Sequence, residues 1–129
     1  MADIGGSCLC GGISYRISGD LRPVVACHCN QCRKASGHYV AATQALARDI
    51  EIEGDPRWYR SSDFAERGFC ATCGSNLFWR KHGGAYVSIF AGGLDGPTGL
   101  KMVSQLHCES SGDYYELPDL ECIDQATLK

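Results

Sequence analysis

The chain alternates apolar and polar positions in short runs broken by glycine, and long helical periodicity is nearly absent. "ISYRIS" (13–18) has the period of two expected of a strand with one buried face. "RPVVAC" (22–27), "HYVAATQAL" (38–46), "DIEIEG" (49–54) and the shorter "PRWYRS" (56–61) read as further strands. "NLFWRK" (76–81) and "AYVSIFAG" (85–92) form a predicted strand pair joined through Lys81 to Gly84, with Gly83 and Gly84 permitting the turn. "KMVSQLHC" (101–108) is another strand, and the last ten residues read as a strand or a loose tail. One short helix is expected, capped by Asn30, running through Ser36 and stopped by Gly37. The prediction is a mainly β chain of about nine short strands with one or two helical turns.

Length and composition narrow the setting. The 129 residues, without repeat, low-complexity tract or long linker, predict a single domain over 1–129 with a modest core. A formal charge of −3 argues against nucleic acid or an anionic membrane as partner. No apolar run approaches the ~20 residues of a spanning helix. "MADIGGSCLCGG" has neither the basic nor the apolar region of a secretory signal. A cytoplasmic location is the expectation, and oligomeric state is left open.

That location decides how nine cysteines are read. In a reducing compartment, closely spaced cysteines mean metal or thiol chemistry rather than disulfides, and an odd count agrees. Seven fall into three knots: Cys8 and Cys10, Cys27 with Cys29 and Cys32, and Cys70 with Cys73. Zinc takes four ligands in a tetrahedron, so two close pairs brought together by folding make one structural site. Cys70-Ala-Thr-Cys73-Gly74 has the form of a zinc knuckle. Cys8 and Cys10, two apart, would share one face of a regular strand. Pairing Cys8 and Cys10 with Cys70 and Cys73 leaves no ligand missing.

The middle knot then has three thiolates and one open position, the arrangement that separates catalytic from structural zinc. Such a site carries a net charge of about −1 and suits an exogenous thiol held as thiolate better than water activation. Completion of the tetrahedron by His28, Cys108 or Cys122 is the competing reading. His28 would point away from its neighbours in extended chain, and Cys108 and Cys122 lack a nearby partner and read as buried apolar residues.

"GSCLCGGISYRI", "VVACHCNQCRKASG", "RGFCATCGSNLFW", "GGLD" and "DYYELPD" occur in this order between Gly6 and Asp119. In these motifs the chain resembles the glutathione-dependent formaldehyde-activating family, whose domain also occurs in centromere protein V. The resemblance implies a small Mss4-like zinc-binding β-fold. It implies a structural zinc at Cys8, Cys10, Cys70 and Cys73 and a labile catalytic zinc at Cys27, Cys29 and Cys32, two Zn²⁺ per chain. It also implies a carbon–sulfur lyase activity like that of S-(hydroxymethyl)glutathione synthase, with small thiol and aldehyde substrates, glutathione among them. A non-catalytic binding module for a protein or small thiol is the alternative, and a nucleic-acid role is a distant third.

Other residues carry weaker expectations. Arg33 and Lys34 are surface charges or attractors of substrate carboxylates. Trp58, Phe78 and Trp79 are core aromatics or pocket lining. His38, His82 and His107 lack ligand spacing, and Asp95 is expected to form a turn rather than act as acid or base. "GGSCLCGG" has neither the lysine of a phosphate loop nor dinucleotide spacing, so no nucleotide site is expected.

Overall fold

The structure, a computed structural model, describes residues 3–127. Eleven strands and one helix are present among them. In chain order they are β1 (Ile4–Ser7), β2 (Ser14–Ile17), β3 (Val24–Cys27), α1 (Asn30–Ser36), β4 (Val40–Leu46), β5 (Ile50–Glu53) and β6 (Arg57–Arg60). Then follow β7 (Ala65–Phe69), β8 (Asn76–Lys81), β9 (Tyr86–Phe90), β10 (Met102–Leu106) and β11 (Glu121–Ile123), with four single 3₁₀ turns between or after the strands. The mainly β expectation holds. The helical turns exceed the one or two foreseen, because short connections between strands close as 3₁₀ turns.

Two sheets form. β1, β2 and β5 make a small antiparallel sheet, and a second of eight strands has the order β11-β10-β3-β4-β9-β8-β7-β6. β10 runs parallel to both β3 and β11, while the other neighbours are antiparallel, so the larger sheet is mixed. The core lies between the sheets. Tyr15 and Ile17 of β2 meet Ala45, Val87, Ile89 and Phe78 from the larger sheet, with Tyr15 set edge-on to Phe78 at 5.2 Å. Because side chains alternate across a strand, the intervening residues of β4, β9 and β8 face the other way. The sheet therefore has one face in the core and the other available to line a site.

The expected strands are all found, most with slightly shorter ends. The C-terminal stretch holds a strand at Glu121–Ile123. β1 and β7 were not foreseen, and glycine is the reason in both. A Cβ on Gly6 would stand 2.4 Å from the Tyr15 ring, and one on Gly68 would stand 2.9 Å from Trp58. These strands press backbone against aromatic rings, so their sequences show no alternation of large apolar residues.

Three local expectations are corrected. Cys8 and Cys10 do not share a strand face. They sit in a turn after β1, closed by the Gly11 amide on the Cys8 carbonyl at 3.2 Å, with Gly11 at φ +80°. The N-cap of α1 is Cys29 rather than Asn30, since the Cys32 amide donates to the Cys29 sulfur at 3.3 Å. Gly37 ends the helix at φ +88° as expected. Finally, Cys108 and Cys122 are joined in a disulfide rather than buried singly. The parallel pairing of β10 with β11 brings them together across a separation of 14 residues, a proximity that spacing alone conceals.

Candidate metal centre and cavity

Cys8, Cys10, Cys70 and Cys73 converge, their sulfurs all within 4.8 Å of one another. The Cys10 sulfur lies 3.6 Å from that of Cys8 and 3.8 Å from that of Cys70. Zn–S bonds of ~2.3 Å in a tetrahedron place sulfurs ~3.8 Å apart, so this cluster has the size that zinc requires. Backbone supports the charge of the sulfurs: the Ile13 amide donates to Cys8 at 3.3 Å and the Cys73 amide to Cys70 at 3.4 Å. Gly74, at φ +81°, lets the knuckle turn back so that its amide reaches the Cys70 carbonyl at 2.8 Å. The Ser75 hydroxyl lies 3.2 Å from the Cys73 sulfur, and with the Ser75 amide it lowers that thiol to about 5. The cluster joins the turn after β1 to the turn after β7 and so links the two sheets.

Cys27, Cys29 and Cys32 form a second group, again with all sulfurs within 4.8 Å. Among the described residues no fourth sulfur, imidazole or carboxylate joins them. Cys27 ends β3, Cys29 caps α1 and Cys32 lies in its first turn, so the strand-to-helix junction sets the triangle. Hydrogen bonds from Cys27 and Cys32, then the Cys32 amide and the Arg67 charge, hold the Cys29 thiol below the ordinary range. Cys27 is pushed above it by its hydrogen bonds with Cys29 and Cys32 and by burial.

The alternative fourth ligands are all engaged elsewhere. His28 is fully buried and turned away from the sulfurs, as expected. Its Nε2 is 2.9 Å from Gln105 Oε1 and its Nδ1 is 2.6 Å from the Tyr115 hydroxyl. The Gln105 amide nitrogen donates to the carbonyls of Pro118 and Leu120, which makes Oε1 the acceptor. His28 therefore carries its proton on Nε2 and accepts the Tyr115 hydroxyl at Nδ1. Cys108 and Cys122 are occupied with each other.

The three-cysteine group opens on a cavity of about 680 Å³. Its floor is the free face of the large sheet: Val25 of β3, Ala42 and Gln44 of β4, Ser88 and Phe90 of β9 and Trp79 of β8. Trp79 therefore lines the cavity, while Phe78 is fully buried and Trp58 stacks on it at 6.0 Å. Arg67, only 8% exposed, reaches in from β7 and places Nη2 3.5 Å from the Cys32 sulfur. Nothing in the hydrophobic pattern singles out Arg67. Its signal in the sequence is its place three residues before the first cysteine of the knuckle.

The remaining expectations resolve simply. Arg33 donates to the Ser110 carbonyl at 3.1 Å and to Asn30, tying α1 to the turn at Cys108–Ser110, and Lys34 is exposed. His38 and His82 are exposed, while His107 contacts Gln125 at 3.0 Å. The Asp95 amide donates to the Gly5 carbonyl at 2.8 Å and fastens its loop to β1. Among the described residues, no helix is long and apolar enough to cross a membrane.

Fold and clusters together define a β-domain with two cysteine groups of metal-ligand geometry, one of four sulfurs and one of three. The chain belongs to the glutathione-dependent formaldehyde-activating enzyme family, whose profile matches residues 3–110. It is 31% identical over 80 residues to an uncharacterized lyase of Schizosaccharomyces pombe, a match spanning 61% of this chain and 58% of that relative. A crystal structure of a Rhodobacter sphaeroides protein is similar in fold, with a TM-score of 0.58 and 22% identity over 74% of this chain and 91% of the other.

Proposed function

We propose that this protein is a zinc-dependent enzyme of the carbon–sulfur lyase type. It joins a glutathione-like thiol to formaldehyde or a related small aldehyde as the S-hydroxyalkyl adduct, and separates them in reverse. The observation that carries this reading is the three-sulfur group without a fourth protein ligand among the described residues, opening on the cavity, beside a complete four-sulfur group elsewhere. Family membership and the lyase name of the Schizosaccharomyces pombe relative support it.

A zinc ion on Cys27, Cys29 and Cys32 would supply a fourth position at which a thiol is held as thiolate. The addition forms one C–S bond as the carbonyl π bond opens, and the thiol proton finishes on the former carbonyl oxygen. No oxidant or reductant is required. Arg67 brings its positive charge to Cys32, where it offsets the thiolates and faces the negative charge developing on oxygen. Apolar walls from Val25, Val40 and Phe90 limit water around the reacting groups. Cys8, Cys10, Cys70 and Cys73 would hold a second, structural zinc. The chain acts as a single domain in the cytoplasm on small molecules rather than nucleic acid.

The test is metal content followed by exchange spectroscopy. Two zinc ions per chain are expected, one removed readily by chelator and one retained. Exchange between glutathione, formaldehyde and their adduct should run faster than in buffer. A single zinc, or two equally inert ones, would defeat the open-site reading. No acceleration with both zincs present would retire the named reaction.

A further inference from the structure

The cavity has a sign. Its charged lining residues are Arg22, Arg67 and Lys81, and among the described residues no aspartate or glutamate lines it. This is notable in a chain of formal charge −3. None of the three forms an ion pair with a carboxylate among the described residues. A cation removed from water without a counter-charge is costly, so each needs an account.

Arg67 has a partial one: its Nη2 lies 3.5 Å from the Cys32 sulfur and 3.4 Å from Gln31 Oε1, while its Nη1 is buried without a hydrogen-bond partner. Arg22 has none. Its guanidinium is partly buried and donates only to main-chain carbonyls, Nη2 to Ala42 at 3.1 Å and Nε to Pro23 at 3.3 Å. Burial lowers its hold on its proton, and no carboxylate offsets that cost among the described residues. Lys81 stands exposed at the rim.

Position adds a length. Cys27 pairs with Val40 across β3 and β4, and Ala42, whose carbonyl holds Arg22, lies two residues further along the same face. Two residues of strand span ~7 Å. The strand positions that carry the cysteine group and the Arg22 contact are thus ~7 Å apart, a spacing on the scale of a short mercapto acid. The floor between them is apolar, formed by Val25, Val40 and Phe90. An ammonium group, by contrast, would find no carboxylate to pair with among the described lining residues and would share the floor with Arg22.

We infer that the cavity selects a thiol bearing a carboxylate and no ammonium, with Arg22 as the residue that reads the carboxylate. This rests on the reading that the cavity takes a thiol at Cys27, Cys29 and Cys32, and it departs from glutathione itself, which carries an ammonium.

Calorimetry on the zinc-loaded protein tests it with 3-mercaptopropionate, its neutral amide and 2-mercaptoethylamine, each affinity corrected for the acidity of the thiol. A charge-assisted hydrogen bond makes the acid about tenfold tighter than the amide, with the amine weakest. Arg22→Gln should remove the advantage of the acid and leave the amide unchanged, and Arg22→Lys should restore part of it. N-acetylated glutathione should bind more tightly than glutathione. The inference is overturned if the three thiols bind alike, if Arg22→Gln weakens all of them equally, or if none binds. Acid-selective, Arg22-dependent binding without faster formaldehyde exchange would uphold this inference and retire the catalytic reading. Exchange accelerated equally for all three thiols would do the reverse.

Discussion

Replacing one cysteine in each group should separate their duties. In the four-sulfur group Cys70 is 3% exposed, and its group ties together turns 60 residues apart in sequence that belong to different sheets. A structural zinc site contributes ~10–16 kcal/mol of apparent folding free energy, so one thiolate of four carries ~3–4 kcal/mol. Cys70→Ser also leaves a buried hydroxyl, at a cost of ~1–3 kcal/mol. The combined ~4–7 kcal/mol is a large part of the ~5–15 kcal/mol that holds a domain folded. Cys32 faces the cavity, and its loss deprives Arg67 of one contact, worth ~1–2 kcal/mol. With a urea slope of ~2 kcal/mol per molar, the middle of the usual range, Cys70→Ser should lower the midpoint by ~2 M or more and Cys32→Ser by ~1 M or less. Urea unfolding followed by circular dichroism at saturating zinc measures both. Equal shifts, or a larger one for Cys32→Ser, would refute the division between structural and working sites.

Three further outcomes follow from the packing. Gly6→Ala would drive a methyl into the Tyr15 ring and the Gly93 carbonyl, and should cost ~1–3 kcal/mol, read from the urea midpoint. The Tyr15 hydroxyl is buried without a hydrogen-bond partner, and burial, then the Asp95 charge, push it up to about 12. Its raised folded value means that stability is intact below about pH 10, the unfolded tyrosine range, and falls as pH rises towards 12. Tyr15→Phe should remove that loss and raise the midpoint at neutral pH, as denaturation at both pH values would show. For the disulfide, alkylation of denatured, metal-free protein should count seven thiols before reduction and nine after it. Opening its loop of about 15 residues should cost ~3 kcal/mol of chain-entropy stabilisation.

Much of this protein was legible before folding was considered. Alternation in "ISYRIS" and "HYVAATQAL" located β2 and β4, because a half-buried strand imposes a period of two on its own residues. The cysteine knots named both metal-ligand groups, because a small tetrahedral ion needs ligands in close pairs and the chain must supply each pair locally. Tertiary structure decided what depends on residues far apart in sequence. β1 and β7 exist because aromatic rings elsewhere need a glycine backbone to lie against, which local periodicity does not record. Cys108 and Cys122 meet only because β11 lies beside β10. Arg22 and Arg67 acquire meaning only when the free face of the sheet closes on the three cysteines, for the sign of a cavity belongs to the space its walls enclose.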